Sequence, residues 1–112
     1  MQAGHLRHRI TIERPGYARD AAGSEYLVWE SYATVWGSLV PLRGRESEGS
    51  GHILADLDTE ITIRWSPRVA VIDAKWRVRH GGTTYNVGAP PVLDEQGRRS
   101  LRILCRSGVN DG

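Results

Sequence analysis

Gly4-His5-Leu6-Arg7-His8-Arg9-Ile10-Thr11-Ile12 alternates between two faces, with Leu6, His8, Ile10 and Ile12 on one side and Arg7, Arg9, Thr11 and Glu13 on the other. A period of two belongs to a half-buried β-strand, because successive side chains of a pleated backbone point to opposite sides. The same rhythm returns in Ile61-Thr62-Ile63-Arg64-Trp65, at Trp76, Val78 and His80, at Tyr85 and Val87, and at Leu101, Ile103 and Cys105. No stretch carries a convincing helical stripe. An all-β domain is the expectation.

Turn formers separate these runs. Arg14-Pro15-Gly16 is expected to end the first strand, since proline lacks the N–H that a central strand donates. Asp20-Ala21-Ala22-Gly23-Ser24 supplies a turn, and the stretch from Glu25 to Leu42, rich in Tyr, Val, Trp and Thr, is the return arm. Its length predicts a short strand from Leu27 to Trp29, a bend around Ser31 and a longer strand from Ala33 to Leu42. Ser66-Pro67 stops the third run, and Val69 to Ile72 either adds a short strand or covers the core. Gly81-Gly82 between two alternating runs predicts a tight hairpin, because two-residue turns favour positive φ. Pro90-Pro91 to Gly97 reads as a further turn. Together these elements make a small antiparallel β-barrel of about six strands, whose closure removes exposed edges.

Length and composition agree with one domain over residues 1–112. A chain of 112 residues buries roughly two-thirds of its unfolded surface. With 39% hydrophobic and 25% charged residues, it has no apolar surplus for a second core. No window approaches the roughly 18 apolar residues of a membrane span, and Gln2 to His8 is too polar for the centre of a signal peptide. A cytoplasmic product without a leader is expected. Cys105, the single cysteine, has no intramolecular disulfide partner and reads as a small buried residue. The net charge of +2 is too small to steer the whole molecule onto nucleic acid. Among the 15 Lys and Arg residues only Lys75 is lysine. Arginine suits protein interfaces and phosphate contacts, although genomic base composition produces the same bias.

The pattern fails between residues 43 and 58. Arg43-Gly44-Arg45-Glu46-Ser47-Glu48-Gly49-Ser50-Gly51 has no apolar period, and its glycines oppose a stable helix. A segment of this length without structure inside a small domain is expected to be a mobile loop, either functional or disordered until a partner arrives. Ile53, Leu54 and Leu57 are spaced for a helical turn or two on docking, too short to hold alone. The tail, residues 107–112, is expected to fray.

Catalytic chemistry is not apparent. The histidines at 5, 8, 52 and 80 lack the spacing of a helical zinc site and have no cysteine pair to complete one. Phosphate-binding and nucleophile motifs are missing, and the carboxylates of Glu46, Glu48, Asp56, Asp58 and Glu60 have no fixed walls for acid–base work. No catalytic, cofactor-binding or metal-binding residue is assigned, and the expectation is a non-enzyme without cofactors. Trp36, Trp65 and Trp76 lie in strand patterns and are expected in the core of a domain that has no Phe, while Trp29 is expected as the exposed anchor. Arg64, Arg77, Arg79 and Arg102 would share an outer face.

Several of these fragments, in order, resemble the head-closure (head-tail joining, or stopper) proteins of tailed bacteriophages. Gly4 to Ile10 is similar to the opening strand of that family, Asp20 with Gly23 to its turn, and Trp29 with Ala33-Thr34-Val35-Trp36-Gly37-Ser38 to its second arm, where Ala is more usual than Gly37. Gly44-Arg45-Glu46, Ile61 to Trp65, Tyr85-Asn86-Val87 and Leu101 to Cys105 continue the match. The loop departs from it, carrying Gly49-Ser50-Gly51 and few of the expected Gln and Ala residues. The resemblance implies a structural connector of a phage, prophage or gene transfer agent, made in the host cytoplasm and located at the head-tail junction of the virion. It implies a ring beneath the portal and adaptor that retains packaged DNA and docks the tail-terminator side. It also implies a gating loop, here Arg43, Gly44, Arg45, Glu46, Glu48, Gly49, Gly51, Asp56 and Asp58. DNA would pass without specific binding, because the acids repel phosphate. Arg7, Arg9 and Trp29 are the interface candidates, and the isolated chain is expected to be a monomer that touches no membrane. The alternative is a small β-barrel that binds single-stranded nucleic acid.

Overall fold

The computed structural model describes residues 7–42, 57–94 and 99–107. The strands are β1 (His8–Arg19), β2 (Glu25–Pro41), β3 (Thr59–Arg64), β4 (Arg77–His80), β5 (Thr83–Val87), β6 (Val92–Asp94) and β7 (Ser100–Ser107). They form one antiparallel sheet in the order β3-β2-β1-β4-β5-β7-β6, and a further β3–β7 pairing closes six of them into a ring. One edge of β7 pairs along all of β3; its other edge is shared, first by β6 and then by β5. β6 lies inside the stretch expected to be only a turn, and it is the strand outside the ring.

Alternation places the core. Ile10, Ile12, Ile61, Ile63, Val78, Ile103 and Cys105 are completely buried, facing one another across the ring. Each such aliphatic side chain contributes about 1.5–3 kcal/mol through burial. Val69–Val71 is a 3-10 turn, and its buried Val69, together with Ile72, covers the core as the second of the two sequence options. Gly81 and Gly82, at φ 57° and 86°, make the tight β4–β5 hairpin. At the β1–β2 turn, Asp20 Oδ1 accepts hydrogen bonds from the backbone N–H of Ala22 and Ser24, both at 2.9 Å.

Three expectations are corrected. β1 does not stop at Pro15 but runs on to Arg19, paired with β2 throughout. From Arg14 onward only one edge of β1 is paired, so a residue that cannot donate is tolerated there. β2 is likewise unbroken for 17 residues, and the expected bend is a bulge. Ile12 pairs with Ala33 and Glu13 with Ser31, leaving Tyr32 without a partner. Ser107, expected to fray, is the last residue of β7 and pairs with Tyr85.

Arg14–Arg19 and Glu25–Glu30 therefore leave the closed sheet as a two-stranded ribbon. Six residues per arm at about 3.3 Å each add about 20 Å, which accounts for principal extents of 51 × 29 × 23 Å. Strand directions give the subunit two unlike ends. The ribbon leaves from one; Arg7, Leu42, Asp58, the Gly81-Gly82 turn and Ser107 gather at the other. Among the described residues no helix is long and apolar enough to cross a membrane.

Candidate interaction surfaces

The root of the long segment is the part of the expected loop that lies within the described residues. Arg43, Gly44, Arg45, Glu46, Glu48, Gly49, Gly51 and Asp56 lie outside the described residues. Leu57 and Asp58 lie inside, and both are anchored. Leu57 is 5% exposed, and Gly88 approaches it so closely that a Cβ there would overlap the leucine side chain. Leu42 N–H donates to the Asp58 carbonyl at 3.0 Å, and Asp58 N–H donates to the Cys105 carbonyl at 2.9 Å. The chain thus departs at Leu42 and returns at the same point.

The Asp58 carboxylate completes the lock. Oδ1 accepts from Ser107 N–H at 2.9 Å and from Thr59 Oγ1 at 2.9 Å, while Oδ2 accepts from Ser107 Oγ at 2.9 Å. Burial opposes the charge, but the Ser107 N–H and the Thr59 and Ser107 hydroxyls outweigh it and hold the carboxyl below its ordinary range. Ser107 was not identified from the sequence, because nothing local announces a contact across 49 residues. Beneath this root, burial and then the Asp58 charge push the Cys105 thiol up to about 12. A thiol so protonated is a packing group, not a nucleophile.

The first strand and its neighbours form a basic outer wall. Arg7 and Arg9 are exposed, and Arg9 lies 5.2 Å over the Trp36 ring. Trp36 is 52% exposed, contrary to the expected core position, because Val35 and Gly37 on either side point inward. Gly37 is held where β2 presses against Ile10 Cδ1, Ile63 Cγ2 and the Thr62 carbonyl, which an added Cβ would meet at 3.2, 3.0 and 3.1 Å. Arg79, exposed on β4, pairs with Thr11 and extends the wall. Arg7, His8, Ser38, Leu39 and Val40 line an open groove of about 400 Å³ at its margin. Inside the mouth, His8 and His80 meet edge to face at 4.8 Å.

Trp29 is not the exposed anchor. It is half-buried, with the Arg77 guanidinium 4.3 Å over its ring. Arg77 Nε donates to Glu13 Oε1 at 2.6 Å, and both of these side chains are only 12–13% exposed. The bulge at Tyr32 puts Trp29 in the outward register opposite Pro15, and the Arg77 side chain, held by Glu13, covers it there and removes it from solvent. Tyr32 fixes the opposite face of the ribbon base. Its hydroxyl donates to the Arg68 carbonyl, and Arg68 Nη2 donates to the Tyr32 carbonyl, each at 2.6 Å. Trp65 and Trp76 pack against the core as expected. Arg64 and Arg102 also point outward, but from β3 and β7, and Arg102 lies 3.7 Å from Glu60.

Beyond this clamp the ribbon is uncovered. Tyr17 pairs with Leu27 and Ala18 with Tyr26; Tyr17, Tyr26 and Leu27 are 70%, 50% and 42% exposed. Ion pairs Arg14–Glu30 and Arg19–Glu25, at 3.2 and 3.7 Å, bridge the arms. Among the described residues no three His, Cys, Asp or Glu side chains are grouped to hold a metal. What the geometry offers is docking surface.

Comparison with known proteins gives the frame for these surfaces. No curated protein matches the chain significantly. The solution structure of protein SF1141 from Shigella flexneri 2a is similar over 99% of this chain and 100% of that one, with 32% identity and a TM-score of 0.78. A chain from the virion of a native gene transfer agent particle shares the fold over 94% of this chain and 97% of that one, at 21% identity and a TM-score of 0.63. Residues 1–108 match the family model of phage head completion proteins, and the chain belongs to that family.

Proposed function

We propose that this protein is a structural, non-enzymatic connector at the head-tail junction of a phage, prophage or gene transfer agent particle. Copies form a ring beneath the portal and adaptor, retain packaged DNA and present a docking surface to the tail-terminator side. The isolated chain is a monomer until that assembly templates it. Family membership supports the head-completion role, and the virion neighbour supports its location in the particle.

The observation that carries the reading is the polarity of the subunit. Residues 43–56 leave and return through the Leu42–Asp58 hydrogen bond at one end, and the ribbon leaves from the other. A connector between two different partners needs two unlike ends. In this role Glu46, Glu48 and Asp56 repel the phosphate backbone, so DNA slides past without specific binding, while Arg43 and Arg45 pair with a neighbouring subunit and Gly44, Gly49 and Gly51 allow the chain to turn. Asp58 serves as the anchor of that segment. Arg7 and Arg9 contact a neighbour directly, and Trp29 acts through the ribbon that it holds.

Particles produced without this chain test the proposal. The expected result is heads that package DNA, lose it to added nuclease and carry no tails, with recovery when the chain is supplied. Tailed, nuclease-resistant particles in its absence overturn it. The exposed Arg9–Trp36 stack is the observation favouring a nucleic-acid-binding barrel instead.

A further inference from the structure

We propose that the ribbon of one copy docks on the Arg9–Trp36 wall of the next copy, making the head-to-tail contact of the ring. The inference rests on the ring reading above, in which Arg7 and Arg9 meet a neighbour, and names the ribbon as what they meet. The two surfaces lie on the same outward face of the β1–β2 pair but at its opposite ends. Tyr17 and Leu27 stand on the ribbon, and Arg9 and Trp36 on the closed sheet. A contact between two different patches is heterologous, and its repetition closes a ring when the rotation allows.

Charge selects a second copy as the occupant. The ribbon from Arg14 to Glu30 carries Arg14 and Arg19 against Asp20, Glu25 and Glu30, a net charge of −1. The outward positions of the wall carry Arg7, Arg9 and Arg79 with Thr11, Thr34, Trp36, Ser38, Val40 and Thr84, a net charge of +3, and the carboxylates at its borders, Glu13 and Glu60, are answered by Arg77 and Arg102. Apolar surface matches as well. Tyr17 and Leu27 on the ribbon face Trp36 and Val40, which are 52% and 50% exposed. Aromatic and arginine side chains of this kind are the usual anchors of protein interfaces. Stacking on Trp36 also holds the Arg9 guanidinium in place before any partner arrives. A two-stranded ribbon is marginal alone, so a surface that covers it contributes to both fold and assembly.

Cross-linking of the full chain tests the contact. Cys105 is fully buried, so cysteines introduced at the surface are the reactive ones. Leu27→Cys combined with Ser38→Cys, oxidised in assembled particles, is expected to give a ladder of dimer, trimer and higher species, with each single variant silent. Glu25→Arg is expected to reduce the ladder at least tenfold, and adding Arg9→Glu to restore it, a rescue that misfolding would not produce. Dimers from Leu27→Cys alone would mean that ribbons pair with ribbons and would overturn the proposal. An absent ladder would overturn it too. The nuclease assay on particles is independent of these variants, so a failure here with that assay positive removes the docking and leaves the connector role standing.

Discussion

Asp58 and Ser107, 49 residues apart, are joined by two hydrogen bonds, from Ser107 N–H to Oδ1 and from Ser107 Oγ to Oδ2, each 2.9 Å long. The last residue of β7 is thereby tied to the point where the long segment re-enters the sheet. That tie separates a fixed root from the residues that the proposed function uses.

The lock carries a pH signature. A carboxyl whose folded pKa lies below its unfolded value adds stability above the unfolded value and loses it as pH falls through the folded one. For Asp58, whose ordinary value is 3.8, the loss falls below about pH 4. Thermal unfolding followed downward from about pH 7 should show that component in the parent chain and not in Asp58→Asn. The substitution should itself cost about 1 kcal/mol at neutral pH. Identical acid profiles for the two proteins would contradict the lock.

Leu57 gives a packing test of the same root. Gly88→Ala places a Cβ into the Leu57 side chain and should destabilise the domain by about 1–3 kcal/mol in urea unfolding. Combined with Leu57→Ala, which alone should cost about 2–5 kcal/mol, the loss should be clearly less than additive. Full additivity would mean that the two residues do not share that space.

At the ribbon base, Arg77 is held between the Trp29 ring and the Glu13 carboxylate. Arg77→Ala should cost roughly 1.5–3 kcal/mol, the range for a hydrogen bond to a charged group, and should speed amide exchange in the ribbon more than in β3 and β7. Arg77→Lys should recover little of this, since an ammonium lacks the planar face that stacks on indole. Equal protection of the ribbon in parent and variant would show that the clamp does not orient it.

Cys105 should resist thiol reagents at about pH 8 until the domain unfolds, because its thiol is pushed up to about 12 by burial and then by Asp58. The sign at high pH follows. Above the ordinary value of 9.0 the unfolded thiol ionises and the folded one does not, so stability should fall as pH rises past about 9. Cys105→Val should flatten that alkaline limb.

Titration with single-stranded DNA separates the connector from the rival barrel. The isolated chain should bind at about 10 μM or more weakly at physiological salt, the non-specific range. Submicromolar binding with a steep salt slope would favour the nucleic-acid reading.

Much of this fold was legible in sequence because its core is built from short-range alternation. Ile10 and Ile12, Ile61 and Ile63, and Leu101, Ile103 and Cys105 announce their faces two residues at a time, and all are 0–5% exposed. Asp20–Ser24 and Gly81-Gly82 announce their turns by chemistry that acts within four residues. Pro15 misled because its tolerance depends on which edge of β1 is paired, and that is a property of the whole sheet. Trp29 and Trp36 exchanged roles for a related reason. Trp36 follows the parity of Val35 and Gly37, a signal present in the sequence, whereas Trp29 lies beyond a one-residue bulge at Tyr32 that no local pattern marks. Among the proposed site residues, Arg7 and Arg9 were placed outward by alternation alone. The anchoring of Asp58 by Ser107 required the closed ring.

Imaging of purified particles at the head-tail vertex tests the central claim most directly. The account predicts a closed ring of this chain between the portal side and the tail, with residues 43–56 of each copy directed toward the DNA channel. Particles whose vertex is complete without this chain, or in which it sits as scattered single copies away from the channel, would contradict it.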